Sequence, residues 1–238
     1  MPKCIFVSDL HLFAARSDAD RYRAAIDAAA AEASHLVLGG DIFDFHWAVH
    51  HTEREAVAWA VAWLRRLADG CPSCQFHYLL GNHDHHRLLI DQLIELEQTV
   101  DNLVWHRFHT RLGQCAFLHG DVVDRPMSAE ALATARATRM ARKKRHATHS
   151  RIYDLAILGR LHKPVPHLVH RNRTVARRIY RYLEEVQLGP RDGVTDVYFG
   201  HIHRPISAYR YGGLRFHTGG APIKGLKYRI LEAEIAEA

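Results

Sequence analysis

The sequence predicts an α/β fold, and three observations carry the prediction. Short apolar runs alternate with amphipathic stretches through the first hundred residues. Glycine or a polar cluster stops nearly every apolar run. The chain of 238 residues is 47% hydrophobic and 24% charged, enough to bury a substantial core and far from the composition of a disordered chain.

The elements follow in order. Residues 3–7 read as a buried strand running into a polar loop. Residues 18–33 are Ala-rich with scattered charge, a helix capped by Ser17 or Asp18. Residues 35–38 form a second apolar strand, stopped by Gly39-Gly40. Residues 52–68 form a helix with Val57, Val61, Leu64 and Leu67 on one face. Residues 76–80 are a third strand ended by Gly81, and 88–97 are helical. This β-α-β-α-β-α order argues for a sheet covered by helices. Beyond it, 102–110 and 114–119 read as paired strands turning near Leu112-Gly113. Residues 128–188 are helix-like, interrupted by Pro164 and Pro166. Residues 194–199 are a strand, 206–210 and 214–217 a hairpin across Tyr211-Gly212-Gly213, and 226–235 a last strand. The pattern implies one domain over 1–238 with a helical insert at about 125–190.

Composition excludes several classes. No run approaches the roughly 18 apolar residues of a membrane span. The first nine residues contain no signal-peptide apolar region, so a cytoplasmic location is expected. Four cysteines are too few for a disulfide framework, and Cys71-Pro72-Ser73-Cys74 lacks the two further ligands a structural zinc needs, so its thiols are read as incidental. Trp47, Trp59 and Trp63 read as packing residues. The unusual number is histidine, 20 of 238 residues.

Polar clusters follow the strands: Asp9-Leu10-His11, Gly40-Asp41-Ile42-Phe43-Asp44, Gly81-Asn82-His83-Asp84, His119-Gly120-Asp121 and Gly200-His201-Ile202-His203. Ligands of α/β sheets bind beyond the carboxyl ends of the strands, so five such clusters converge on one site. Their donors are oxygen and imidazole with no thiolate, which suits Mn, Fe or Zn. Asp9 and His11, two apart in an extended loop, point the same way, as do His201 and His203. Asp41 can give one oxygen to each of two metals, Asn82 a carbonyl oxygen and His119 a nitrogen. That makes seven ligands, enough for two ions with positions left for water or substrate. Two ions about 3.5–4 Å apart lower the pKa of a bridging water and clamp a phosphoryl group for in-line attack. Singly, each cluster is equally a turn, a cap or a core histidine; the ordered set is not explained that way.

As a set, the clusters resemble the calcineurin-like metallophosphoesterase family, whose order is D-x-H, G-D-x-x-D, G-N-H-[DE], H and G-H-x-H. The resemblance runs from residue 9 to 203 with no ligand position missing. It implies a four-layer α/β/β/α sandwich. It implies one metal held by Asp9, His11, Asp41 and His203, and a second held by Asp41, Asn82, His119 and His201. His83 would contact the phosphate and protonate the leaving group, and Asp84 would orient His83 by a hydrogen bond. A non-catalytic interaction scaffold on the same fold would show missing ligands, and all seven are present.

The insert bears on the substrate. From Arg125 to Arg181 there are fifteen Lys/Arg against Glu130 and Asp154, a net +13; the other 17 basic and 24 acidic residues leave the rest at −7. Aliphatic residues are interleaved, whereas a nucleic-acid surface would add stacking platforms and only Tyr153, Tyr180 and Tyr182 are present. Basic plus aliphatic suits an anionic amphiphile or an anionic membrane surface. Within the family the chain is similar to the UDP-2,3-diacylglucosamine diphosphatases of lipid A synthesis, on Ser8 to Leu12, His119 to Asp121, Gly200 to Pro205 and the helical insert. It departs from them at His83, where they place Arg, and at Phe45-His46-Trp47-Ala48. The leading substrate is therefore a lipid-linked pyrophosphate, met at the cytoplasmic face of the inner membrane, with Arg142, Lys143, Lys144 and Arg145 binding it. A broad phosphodiesterase or phosphomonoesterase is the alternative. His46, His50 and His51 are expected either to line the entrance or simply to lie exposed.

Overall fold

The computed structural model describes residues 2–48, 52–125, 127–141 and 171–236. Two five-stranded sheets lie face to face. The first has β1 (Lys3–Val7), β2 (His35–Gly39), β3 (Gln75–Leu79) and β4 (Leu103–His106) in parallel, with β10 (Leu231–Glu234) antiparallel at the edge. The second has β6 (Cys115–Leu118), β7 (Asp196–Phe199) and β9 (Leu214–Thr218) in parallel, flanked by antiparallel β5 (His109–Leu112) and β8 (Ile206–Tyr211).

Side-chain alternation sorts the core into layers. Cys4, Phe6, Val37 and Leu79 point between the sheets and meet Cys115, Phe117 and Tyr198 of the second sheet. Ile5, Val7, Leu36, Leu38, Phe76 and Tyr78 point the other way, under α1 (Arg23–Ala31), α2 (Glu53–Gly70) and α3 (Arg87–Thr99). On the far face α4 (Ala129–Met140) and α5 (Asn172–Glu185) bury Leu132, Val175, Ile179 and Leu183 against Ala116, Val197 and Phe216. The layers are α/β/β/α, as expected. At about 1.5–3 kcal/mol per buried large apolar side chain, these three clusters supply the main driving force.

Local signals set the boundaries. A capping box starts α2: Glu55 N donates to Thr52 Oγ1 and Thr52 N to Glu55 Oε2. The helix expected over 18–33 is instead a 3-10 turn followed by α1, with no side-chain cap on either. Ser17 is used elsewhere, donating to Leu10 O and accepting from Ala19 N. The strand expected over 102–110 is two strands in different sheets, because apolar patterning specifies strand character but not the partner, and the chain bends at Arg107-Phe108. The last strand is shorter than expected, covering only Leu231–Glu234. All four cysteines are free thiols. Trp47 and Trp63 are buried, whereas Trp59 is 45% exposed. Arg142, Lys143, Lys144, Arg145, Pro164, Pro166, His50 and His51 lie outside the described residues.

Candidate metal centre

The site forms where the loops after β1, β2, β3, β6 and β7 meet. Its backbone is bent rather than extended: Asp9, His11, Asp41, His201 and His203 have φ of 55°, 48°, 52°, 69° and 52°. Left-handed residues other than glycine are uncommon and carry a cost of order 1 kcal/mol each, so five in one cluster mark an over-determined local structure. The loops after β1 and β2 are stitched together: Asp9 N donates to Gly40 O, His11 N to Asp41 O and Leu12 N to Ile42 O. Two glycines make room. A Cβ on Gly81 would lie 2.2 Å from Asp41 Oδ1, and one on Gly200 2.3 Å from Asp9 Oδ2.

Two groups of donors result. In the first, His11 Nε2 and His203 Nε2 are 3.0 Å apart and Asp9 Oδ1 is 3.5 Å from His203 Nε2. Asp9 is fixed by Ser8 Oγ, which donates at 2.6 Å, and by His201 N. In the second, His119 Nε2 lies 3.4 Å from Asp41 Oδ2 and 3.2 Å from Asn82 Oδ1, with His201 alongside. His119 Nδ1 faces Gly39 O at 3.1 Å, so that nitrogen is the donor and Nε2 carries the lone pair in the neutral ring. All seven expected ligand residues are therefore brought together.

This arrangement fits divalent ions. Asp41 Oδ2 and Asn82 Nδ2 are buried with no hydrogen-bond partner, which is costly unless a ligand completes the set. Two imidazole nitrogens at 3.0 Å cannot present lone pairs to each other; one carries a proton, or both serve a cation. The electrostatics agree. Burial alone would lower the pKa of His119, but the Asp41 carboxylate raises it to about 10. Burial would raise Asp41, yet His119 and His83 hold it well below the usual carboxylate range. The buried Asp41 charge therefore favours a positive partner beside it, a role a divalent cation would fill.

A third group, His11, Asp44 and His83, is a hydrogen-bonded relay. Asp44 Oδ1 accepts from His83 Nδ1 at 2.8 Å, and Oδ2 from His11 Nδ1 at 3.2 Å and Arg16 at 2.8 Å. Burial would raise the Asp44 carboxyl, but the His83 charge and the bonds from His11 and His83 push it far below its usual range. His83 is raised against its own burial by Asp44 and Asp41. The expected Asp84–His83 hydrogen bond is not formed. The turn carries Asp84 beneath itself, where it accepts from Gly81 N at 2.5 Å, Ile42 N at 3.0 Å and Tyr78 OH at 2.8 Å. Burial and the Asp41 charge lift its pKa to about 6. Asp84 positions the loops, and Asp44 positions His83. The signal for it in the sequence is the second aspartate of Gly40-Asp41-Ile42-Phe43-Asp44. Asp124, 2.8 Å from His201 Nε2, had no such signal.

The family model described as calcineurin-like phosphoesterase matches residues 2–205. Among solved structures the chain is similar to a dimetal phosphatase from Danio rerio, at 14% identity and a TM-score of 0.51, covering all of this chain and 94% of that one; this likeness concerns the fold. No curated protein matches the sequence.

Proposed function

The chain belongs to the calcineurin-like phosphoesterase family and is a hydrolase of phosphoester bonds, and from that premise we propose how its residues divide the work. Asp9, His11, Asp41 and His203 hold one divalent ion, and Asp41, Asn82, His119 and His201 the second, with Mn the leading metal and Fe or Zn the alternatives. Bound there, the ions supply the positive charge that activates water and polarises the phosphoryl group. The observation that carries this reading is the pair of Asp/His groups, Asp9-His11-His203 and Asp41-His119-His201, together with Asp41 Oδ2, which accepts no hydrogen bond. Asp44 holds the His83 Nδ1–H and its charge favours the imidazolium, in which Nε2 also carries a proton; that Nε2 proton would pass to the leaving oxygen and leave the ring neutral. Asp84 holds the loop that carries Asn82 and His83.

For the substrate, the leading reading is a UDP-2,3-diacylglucosamine-type lipid-linked pyrophosphate. It is supported by the Ser8–Leu12, His119–Asp121 and Gly200–Pro205 motifs and by the +13 insert with its aliphatic residues. Arg142, Lys143, Lys144 and Arg145 then bind the substrate or the anionic inner-membrane surface, in a cytoplasmic enzyme with a role in lipid A synthesis. Among the described residues no helix is long and apolar enough to cross a membrane. His83, where the diphosphatases place Arg, favours a second reading, a broader phosphodiesterase or phosphomonoesterase. The test is turnover of UDP-diacylglucosamine, bis-p-nitrophenyl phosphate and p-nitrophenyl phosphate by metal-reconstituted protein, with and without charge reversal at residues 142–145. The lipid reading requires that reversal damage the first substrate and spare the diester. Equal losses, or none, reject it.

A further inference from the structure

Helix α4 crosses from one half of the molecule to the other. Leu132 lies in the core of the second sheet, while Met140 packs against the core of the first. Arg136, 1% exposed, bolts the helix down between them. Its Nε and NH2 donate to the two oxygens of Asp121 at 2.8 and 2.7 Å, and its NH1 to Leu80 O at 2.7 Å and Arg107 O at 2.8 Å. Asp121 is two residues past His119, and Leu80 two before Asn82, so Arg136 ties α4 to both walls of the site.

Arg139 is one turn further along the same face. Its guanidinium NH2 stands 3.2 Å from His83 Nε2, the nitrogen opposite the one held by Asp44. Its charge also reaches Asp124, the partner of His201: burial would raise that carboxyl, the hydrogen bond and charge of His201 lower it, and Arg139 adds a smaller lowering. Arg139 therefore stands beside His83 with its charge within reach of Asp124. No carboxylate among the described residues forms an ion pair with it. The His83 Nε2 lone pair takes up one guanidinium N–H at most. The rest of the planar fork is suited to an oxyanion placed beside His83.

We propose that Arg139 binds a non-bridging phosphoryl oxygen of the substrate next to His83, and so selects substrates with a second negative charge beside the scissile bond, phosphomonoesters and pyrophosphates, over simple diesters. The argument from chemistry is a count. A diester phosphorus carries one charge and two non-bridging oxygens; a monoester carries up to two charges and three such oxygens, and a pyrophosphate has a neighbouring phosphate. The additional oxygen is what Arg139 takes. A residue that serves only the additional charge discriminates between substrates without contributing to the bond cleavage they share.

This inference rests on the phosphoester-hydrolase reading of the site. Its test uses metal-reconstituted wild type, Arg139→Gln and Arg139→Lys with p-nitrophenyl phosphate and bis-p-nitrophenyl phosphate, which share a leaving group. Arg139→Gln should lower kcat/KM for the monoester about 10- to 100-fold, mostly through KM, as loss of a charged hydrogen bond does. The fall for the diester should be at least about fivefold smaller, and Arg139→Lys should fall between. Calorimetric binding of inorganic phosphate should weaken in parallel in Arg139→Gln, a readout independent of turnover. Equal falls on both substrates would mean that Arg139 acts through His83 instead, and an unchanged monoester KM and phosphate affinity would remove it from the site; either overturns the inference. Wild type that turns over neither substrate would overturn the hydrolase reading itself. Arg139 is exposed, so the variants keep the fold, which their unfolding midpoints verify.

Discussion

β7 carries a His/Asp cluster at each end, and the two behave oppositely. At its amino end Asp196, Arg215 and His217 line a cavity of about 600 Å³ together with Lys3, Gln114 and Glu232. There Asp196 Oδ1 accepts from His217 Nε2 at 2.9 Å, and Oδ2 accepts from Arg215 at 2.6 Å and Thr195 Oγ1 at 2.8 Å. The remaining ring nitrogen of His217 accepts from Ala208 N. Both Asp196 oxygens and both His217 ring nitrogens have partners supplied by the chain. At the carboxyl end, past Phe199, the same residue types sit on left-handed backbone, with an Asp41 oxygen that accepts no hydrogen bond and two imidazole nitrogens facing each other. Residue type and burial do not separate a binding cluster from a structural one. Satisfaction does: the structural cluster is complete, and the binding cluster is complete only with something added.

The comparison can be broken, and the most damaging variant comes first. Asp41→Asn removes charge from both ion-holding groups. Purified protein should lose most of its bound metal, more than Asn82→Ala loses, and turnover should drop to background; elemental analysis beside a bis-p-nitrophenyl phosphate assay reads both. Retention of metal would mean the orphan oxygen is not a ligand. His83→Ala should keep its metal yet lose about 10²–10⁴-fold in kcat, with a smaller loss on substrates whose leaving group is already good. Metal loss in that variant would place His83 in the wrong role.

Next is the buried pair that anchors α4. Removing one partner of such a pair typically costs about 3–5 kcal/mol, so Arg136→Ala should unfold at correspondingly lower denaturant. Burial would raise Asp121, but Arg136 lowers its pKa to about 2 from an ordinary 3.8. The carboxyl is depressed in the folded state, so its contribution is complete above about pH 4 and disappears as pH falls from there to 2. Wild type should lose stability across that window, and Arg136→Ala should show a flatter profile. The smallest effect is expected at the complete cluster. His217→Ala should change turnover by less than about twofold and stability by about 1 kcal/mol, the worth of an ordinary hydrogen bond. Inactivation by His217→Ala would erase the contrast between the two ends.

Much of this was legible before any coordinates. Alternating runs and their glycine stops located β1, β2, β3 and the helices between them, because each depends on local pattern. The convergence of Asp9, His11, Asp41, Asn82, His119, His201 and His203 was legible because these residues follow strand ends, and parallel strands deliver their ends to one edge. What stayed hidden was pairing at a distance. The stretch 102–110 has strand character throughout, but nothing local says that Leu103 joins β3 while His109 joins β6. The partner of His83 was missed for the same reason: Asp84 is adjacent in sequence, whereas Asp44 is 39 residues away and becomes adjacent only through the parallel alignment of β2 and β3. Asp124 and Arg139 come from segments whose sequence carries no motif.

Gly200 follows β7 in the second sheet, and the atom nearest its missing Cβ belongs to Asp9, which follows β1 in the first. The distance between the two sheets at this edge is therefore governed by an absent methyl group. Alanine at 200 would act as a wedge against Asp9 and Ser8 at one rim while the Phe6–Phe117–Tyr198 packing holds the rest closed. Such a protein would keep its fold and every side chain that touches substrate or metal, yet the halves of its site would no longer be in register. Catalytic geometry in a two-sheet enzyme of this kind is inherited partly through residues that contribute no atoms to it.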